Sequence, residues 1–110
     1  MKKTKNDMRL KRKLSIRRRL SGTQDRPRLA IFRSNTRIYA QLINDDKAVT
    51  ILSSWTKGKN SAAAVKLGTT VVELAKAKKI TTIVFDRSGY RYHGAVRIFA
   101  ETVRSGGLVF

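Results

Sequence analysis

The side chains best equipped for chemistry gather in residues 86–94, DRSGYRYHG, which hold the only histidine, His93, beside Asp86 and Ser88. A nucleophile, a base and an orienting acid are the parts of a hydrolytic site. Such a site is defined by geometry, and the plainer reading is that Asp86 and Ser88 shape a turn while His93 makes a fixed hydrogen bond. No catalytic residue is assigned. Residues 57–61, KGKNS, carry a Gly-Lys pair, but a phosphate loop needs Ser or Thr immediately after it and a glycine five residues before. Asn60 and Ser53 stand at those positions, so the motif is rejected. What remains is a basic loop that either touches phosphate or is simply solvated.

Metal chemistry has little to work with. There is no cysteine, so disulfides and thiolate sites are excluded, and one histidine cannot make a histidine pair. The seven acids, Asp7, Asp25, Asp45, Asp46, Glu73, Asp86 and Glu101, are scattered, and none is expected inside a strand. A magnesium-dependent nuclease needs clustered carboxylates. No metal, cofactor, small-molecule substrate or enzymatic activity is expected.

Charge is the dominant property. Twenty-five Lys and Arg against seven acids leave +18 on 110 residues, a charge that calls for a polyanion. No run approaches the roughly 18–20 apolar residues of a membrane span, and no apolar segment of ~7–15 residues follows the basic start as in a secretory signal. A transit peptide would also be basic and poor in acids, but the basic stretch runs into the first strand with no recognisable processing site. Nucleic acid is the expected partner. Residues 1–28 hold twelve Lys or Arg against two Asp, a net of +10, and the other 82 residues thirteen against five, a net of +8. The chain therefore divides into a basic RNA-binding arm, 1–25, and an α/β RNA-binding domain, 26–110.

Lys and Arg attract phosphate without regard to sequence, and the planar arginine fork suits bidentate contacts. Tyr39, Trp55, Tyr90 and Tyr92 lie on or beside basic segments, which fits stacking on unpaired bases. For Tyr39 and Trp55 the alternative is packing on a sheet. No helix-turn-helix, finger or heptad pattern points to duplex DNA. A basic arm with aromatic-bearing loops fits an irregular RNA surface. A general nucleoid protein or chaperone is the rival, and it would bind DNA and RNA alike.

These residues need elements to hold them. In the arm, Leu10 and Leu14 are spaced i, i+4, Thr4 with Asp7 resembles an N-cap and Gly22 a stop, so a helix is expected over about 7–20. Repulsion among Arg17, Arg18 and Arg19 leaves open whether it forms before an anion binds. Residues 21–26 read as linker. Strands are expected over 29–33, 37–43 and 49–53, with Ile38, Ala40 and Leu42 on one face of the second and Tyr39 and Gln41 on the other. Short turns between them make an antiparallel meander. A helix capped by Asn60 or Ser61 buries Ala64, Leu67, Gly68, Val71, Val72 and Ala75. Residues 81–85 are a nearly continuous apolar run, expected as a strand buried on both faces and joined by a right-handed parallel crossover. A last helix buries Val96, Phe99, Ala100 and Val103 and stops at Gly106 and Gly107. The sum is an α/β fold, a small four-stranded mixed sheet (a three-strand antiparallel meander plus one parallel strand) with two packed helices and a basic N-terminal helical arm.

Three segments resemble a known family in matching order: RPRLAIFRSNTRIYAQLI at 26–43, VFDRSGYRYHG at 84–94 and GGLVF at the carboxyl end. The chain is similar to the bacterial-type large-subunit ribosomal proteins of the uL18 family, which bind 5S rRNA. The resemblance covers nearly the whole chain. It implies a ribonuclease-H-like arrangement of the sheet and helices. It also implies a structural role, attaching 5S rRNA to 23S rRNA in the central protuberance beside neighbouring 5S-binding proteins. The location implied is the ribosome of the bacterial cytoplasm or of an organelle's matrix or stroma. Carried over by motif, Arg33, Ser34, Asn35, Tyr39 and Gln41 are RNA contacts from the hairpin, and Arg87, Tyr90, Arg91, Tyr92 and His93 from the second loop. Arg26, Arg28, Trp55, Lys57 and Lys59 join them as basic or aromatic residues of the body. From the arm come Lys2, Lys3, Arg9, Lys11, Arg12, Lys13, Arg17, Arg18 and Arg19. Three positions depart from the family. Ala95 replaces a basic residue, removing one phosphate contact. Trp55 replaces a small residue in the segment expected after the third strand, where it stacks on RNA or fills a gap. Lys79 stands where glycine is frequent, and is strained if the backbone there is left-handed.

Overall fold

The computed structural model describes residues 8–10, 22–92 and 94–110. Residues 8–10 are helical; the rest of the helix expected over 7–20, with its Thr4–Asp7 cap, lies outside the described residues. Six elements follow: β1 (Arg28–Arg33), β2 (Arg37–Asn44), β3 (Val49–Lys57), α1 (Ser61–Ala77), β4 (Val84–Asp86) and α2 (Ala95–Ser105). The sheet has the order β3-β2-β1-β4. β1 pairs antiparallel with β2 and β2 with β3, whereas β4 pairs with β1 in parallel. This is the mixed α/β sheet the sequence predicts.

Alternation in β2 works as expected. Ile38, Ala40 and Leu42 are buried under the helices, and Tyr39 and Gln41 turn to the other face. β3 differs from its expected end at residue 53, because pairing with β2 carries it on to Lys57, with Tyr39 opposite Trp55 and Arg37 opposite Lys57. The apolar signal stops at Leu52, but Trp55 and Thr56 are good strand residues and β2 offers them a full ladder. Trp55 therefore lies within the third strand, not after it. A register shift opposite Leu42 and Ile43 marks a bulge in this pair.

The run at 81–85 also behaves differently. β4 covers only Val84–Asp86 and, among the described residues, is an edge strand paired with β1 alone. Ile83 is fully buried, yet the segment before β4 pairs with the carboxyl tail: Ile83 N–H donates to the Val109 carbonyl (3.0 Å) and Val109 N–H to that of Thr81 (2.9 Å). The β1 ladder begins where Val84 N–H donates to the Pro27 carbonyl (2.9 Å), and Pro27 has no N–H to extend it backwards. Asp86, read as loop, is the last residue of the strand and is fully buried.

Both helices lie on one face of the sheet. Asn60 is the cap of α1: its side chain accepts from Ala63 N–H at 2.9 Å. The six expected residues of α1 are buried, joined by Ala63, and α2 buries Val96, Phe99, Ala100 and Val103. The helices approach closely at Gly68, where a Cβ would come within 2.8 Å of the Thr102 side chain. Phe85 bridges β4 to the helices, its ring 6.2 Å from that of Phe99. Arg97 and Glu101 form an exposed i, i+4 pair at 3.8 Å, of little weight for stability.

α1 ends in a left-handed turn. Lys79 has φ +60°, and Ile80 N–H reaches back to the Ala75 carbonyl at 2.9 Å. That position favours glycine. Lys79→Gly is expected to stabilise the fold by about 1 kcal/mol through relief of left-handed strain, read as a rise of a few degrees in Tm. An unchanged or lower Tm would show that the lysine is held there without strain.

Candidate nucleic-acid interface

Strands β1, β3 and β4 run in the same direction, so their carboxyl ends deliver the 34–36 turn, the 58–60 loop and the 87–94 loop to one end of the domain. Gly58 N–H donates to the Thr36 carbonyl (2.6 Å), fastening the second loop to the first. The turn itself is built by Ser34, whose hydroxyl accepts from Arg37 N–H at 3.1 Å. Asn35 at its tip is exposed, as are Lys57 and Lys59 beside it.

Tyr90 joins the two hallmark segments. Its hydroxyl donates to the Arg33 carbonyl (3.2 Å) and accepts from Arg33 N–H (3.3 Å), while its ring packs against the core. The Arg33 guanidinium lies 5.4 Å from the ring centroid and that of Arg9 4.5 Å. Arg9 also donates to the Ser88 carbonyl at 2.9 Å, so an arm residue is docked on the second loop. Arg87 is partly buried, and Arg91 and Tyr92 are exposed on the same loop. The structure thus brings Arg9, Arg33, Ser34, Asn35, Lys57, Lys59, Arg87, Tyr90, Arg91 and Tyr92 to one end. Tyr90 holds that end together through both its hydroxyl and its ring.

Asp86 and Ser88 act as the plainer reading expects. Ser88 N–H donates to Asp86 Oδ1 at 2.8 Å, and Ser88 takes the left-handed φ of +55° that bends the loop. Asp86 Oδ2 accepts from Arg28 Nη1 at 2.7 Å, so its carboxylate orients an arginine. Among the described residues no three His, Cys, Asp or Glu side chains gather to hold a metal ion.

Arg28 belongs to the interior rather than to the surface where the other arginines stand. It is 4% exposed. Besides Asp86 it meets Asp45 twice, through Nε at 3.0 Å and Nη2 at 3.1 Å. The hydrogen bond to Asp45 does most to raise the guanidinium's pKa above its ordinary value; burial opposes this, and Asp86 adds to it. Asp45 is itself tied to the segment before β1: Gly22 N–H donates to its Oδ2 (2.6 Å), and its own N–H donates to the Gly22 carbonyl (2.8 Å). A Cβ on Gly22 would stand 2.4 Å from Arg28 N and Ile43 O, so glycine is required where the chain passes. The stretch read as linker is thus fastened to the body. Arg26 is exposed at this opposite end, away from the turn at 34–36.

Tyr39, Gln41 and Trp55 stand on the sheet face away from the helices. Sequence reasoning missed two of their neighbours there, Phe32 and Arg37. Phe32 is paired with Tyr39, ring centroids 5.8 Å apart, and the Arg37 guanidinium lies 4.2 Å from the Trp55 centroid. The signal was available for Phe32, which falls out of phase with the buried Leu29 and Ile31. Lys2, Lys3, Lys11, Arg12, Lys13, Arg17, Arg18, Arg19 and His93 lie outside the described residues.

A strongly basic α/β domain whose loops collect guanidinium and phenol groups at one end is built as a nucleic-acid-binding module. Among the described residues no helix is long and apolar enough to cross a membrane. The particular module is given by comparison. Residues 3–110 match the family described as ribosomal L18 of archaea, bacteria, mitochondria and chloroplast. The large ribosomal subunit protein uL18 of Lactobacillus acidophilus is 52% identical over 112 residues, covering 96% of this chain and 95% of its own. That of Lysinibacillus sphaericus is 48% identical, covering 99% and 98%. That of Lactobacillus johnsonii is also 48% identical, covering 96% and 95%. The chain belongs to the ribosomal L18 family: it is a structural, rRNA-binding constituent of the large ribosomal subunit, and not an enzyme.

Proposed function

We propose that this chain binds 5S rRNA and helps attach it to 23S rRNA in the central protuberance, beside neighbouring 5S-binding proteins. The observation that carries the reading is the junction at Tyr90, where two sequence-distant segments and one arm residue meet at a single basic end. A surface assembled from separate loops reads the shape of a folded RNA rather than a regular groove. In this reading Arg33, Ser34, Asn35, Arg87, Arg91 and Tyr92 contact RNA at that end, with Lys57 and Lys59 beside them and Tyr39 and Gln41 on the adjoining sheet face, and His93 is a further RNA contact. Tyr90 and Arg9 fix the geometry. The arm, 1–25, adds phosphate contacts that strengthen binding without choosing a sequence, and the body, 26–110, carries the discrimination. Arg28 is assigned to folding, not to RNA.

Binding to 5S rRNA and to an unrelated folded RNA of equal length, compared across a salt series, tests this. A preference of roughly a hundredfold, about 2.7 kcal/mol, is expected to survive at ~0.2 M salt, because shape-specific contacts do not share the salt dependence of counterion release. Equal affinities that collapse together would overturn the assignment and favour a general basic polyanion binder.

A further inference from the structure

We propose that the sheet face away from the helices is a stacking platform for unpaired RNA bases, formed by Phe32, Tyr39 and Trp55 with Arg37. The three rings stand on three adjacent strands in one line, because Phe32 pairs with Tyr39 and Tyr39 with Trp55. Neighbouring strands lie about 4.8 Å apart, so rings on successive strands meet successive splayed-out bases of a single strand. Phe32 is 47% exposed and Trp55 52%. Rings this exposed contribute little to the core, and a contiguous apolar row on a soluble chain marks a contact surface.

Charge selects the occupant. Arg37 and Lys57, paired across β2 and β3 in phase with Tyr39 and Trp55, are exposed at one end of this face. The described acids lie elsewhere: Asp25, Asp45 and Asp46 at the other end, Asp86 buried, and Glu73 and Glu101 on the helices. Among the described residues a protein partner would meet no exposed acid on this face to pair with its own cations, whereas a nucleic-acid strand offers phosphate to Arg37 and Lys57 and π-faces to the rings. Arg37 serves both ends of that fit. Its guanidinium lies 4.2 Å from the indole centroid, which fixes the ring's orientation, and it is itself a flat cation on which a base stacks. The platform deepens the RNA-binding reading and rests on it. It is distinct from the loop end, since it would take bases where the loops take backbone and shape.

Trp55 is the only tryptophan, so its emission reports on this face alone. The full chain is titrated with 5S rRNA and with a perfectly paired RNA duplex of equal length. Filter retention measures binding, and indole emission with acrylamide quenching measures the site. Both RNAs attract the basic chain, but only one offers unpaired bases. With 5S rRNA the emission is expected to fall and the indole to become protected along the same curve as filter binding; the duplex should bind and leave both unchanged. Trp55→Leu keeps an apolar strand residue and is expected to weaken 5S binding about tenfold, 1.4 kcal/mol, with the salt slope unchanged. Retention of 5S rRNA with unaltered emission and acrylamide access would overturn the platform while leaving the RNA-binding reading intact. Failure of 5S rRNA to be retained at all would overturn both.

Discussion

Asp86→Ala is expected to lower folding stability by about 3–5 kcal/mol, the cost of stripping one partner from a buried ion pair. The carboxylate is fully buried, accepts from the Arg28 guanidinium at 2.7 Å and caps the Ser88 N–H at 2.8 Å. Its removal leaves Arg28 in the interior with Asp45 alone and frees the loop that carries Tyr90. A chain of this length should lose at least about 10 °C of Tm. RNA discrimination should weaken alongside stability, because Ser88 is also where Arg9 docks. A double-mutant cycle with Arg28→Leu isolates the pair: the two changes should be non-additive by about 1–3 kcal/mol. Additive effects would mean that the two side chains are held by their surroundings and not by each other.

Much of this architecture could be read from pattern, and the parts that could not share a cause. The buried faces of α1 and α2 and the alternation of β2 are local, since a 3.6 or 2.0 period is visible within one element. The family's frequent glycine at Lys79 raised a left-handed backbone there as a condition, and the structure supplies it with φ +60°. The true length of β3 was hidden because its last residues, from Ser54 to Lys57, are polar or aromatic and owe their strand state to the β2 ladder. The run at 81–85 looked like one strand because two different partners, the tail at Val109 and β1, cover its two halves. Arg28 is the sharpest case. Its carboxylates lie 17 and 58 residues away in sequence, so nothing local separates it from Arg26 or Arg33, which are exposed. At the loop end, the residue types were legible as motifs, but the role of Tyr90 as a clamp on Arg33 was not. The row Phe32–Tyr39–Trp55 depends on register across three strands, which no single segment encodes.

The buried network and the basic end are therefore parts of one construction. Asp45 ties the segment at Gly22 to Arg28, Arg28 to Asp86, and Asp86 to the loop that Tyr90 then fastens to β1. A surface that recognises the shape of an RNA must keep its own shape, and the loops do so through an ion pair at their base and a tyrosine at their crown. The charges that supply most of the attraction need no such frame.

Changing Arg17, Arg18 and Arg19 together to Gln should separate those two contributions. The net charge falls from +18 to +15. If each arginine meets one phosphate, the slope of log K against log salt should flatten by about 2–3, and affinity at ~0.15 M salt should drop about a hundredfold. Because phosphate contacts position a protein but carry no sequence information, 5S rRNA and the control RNA should lose affinity in equal measure, so that their ratio stays fixed. Tyr92→Ala on the second loop should do the reverse, reducing the ratio with little change in slope, since an exposed ring meets bases rather than counterions. Filter binding of both variants to both RNAs at four or five salt concentrations gives all of these quantities. A triple variant with wild-type affinity and slope would remove the arm from the interface and leave the loop end and the sheet face to account for binding by themselves.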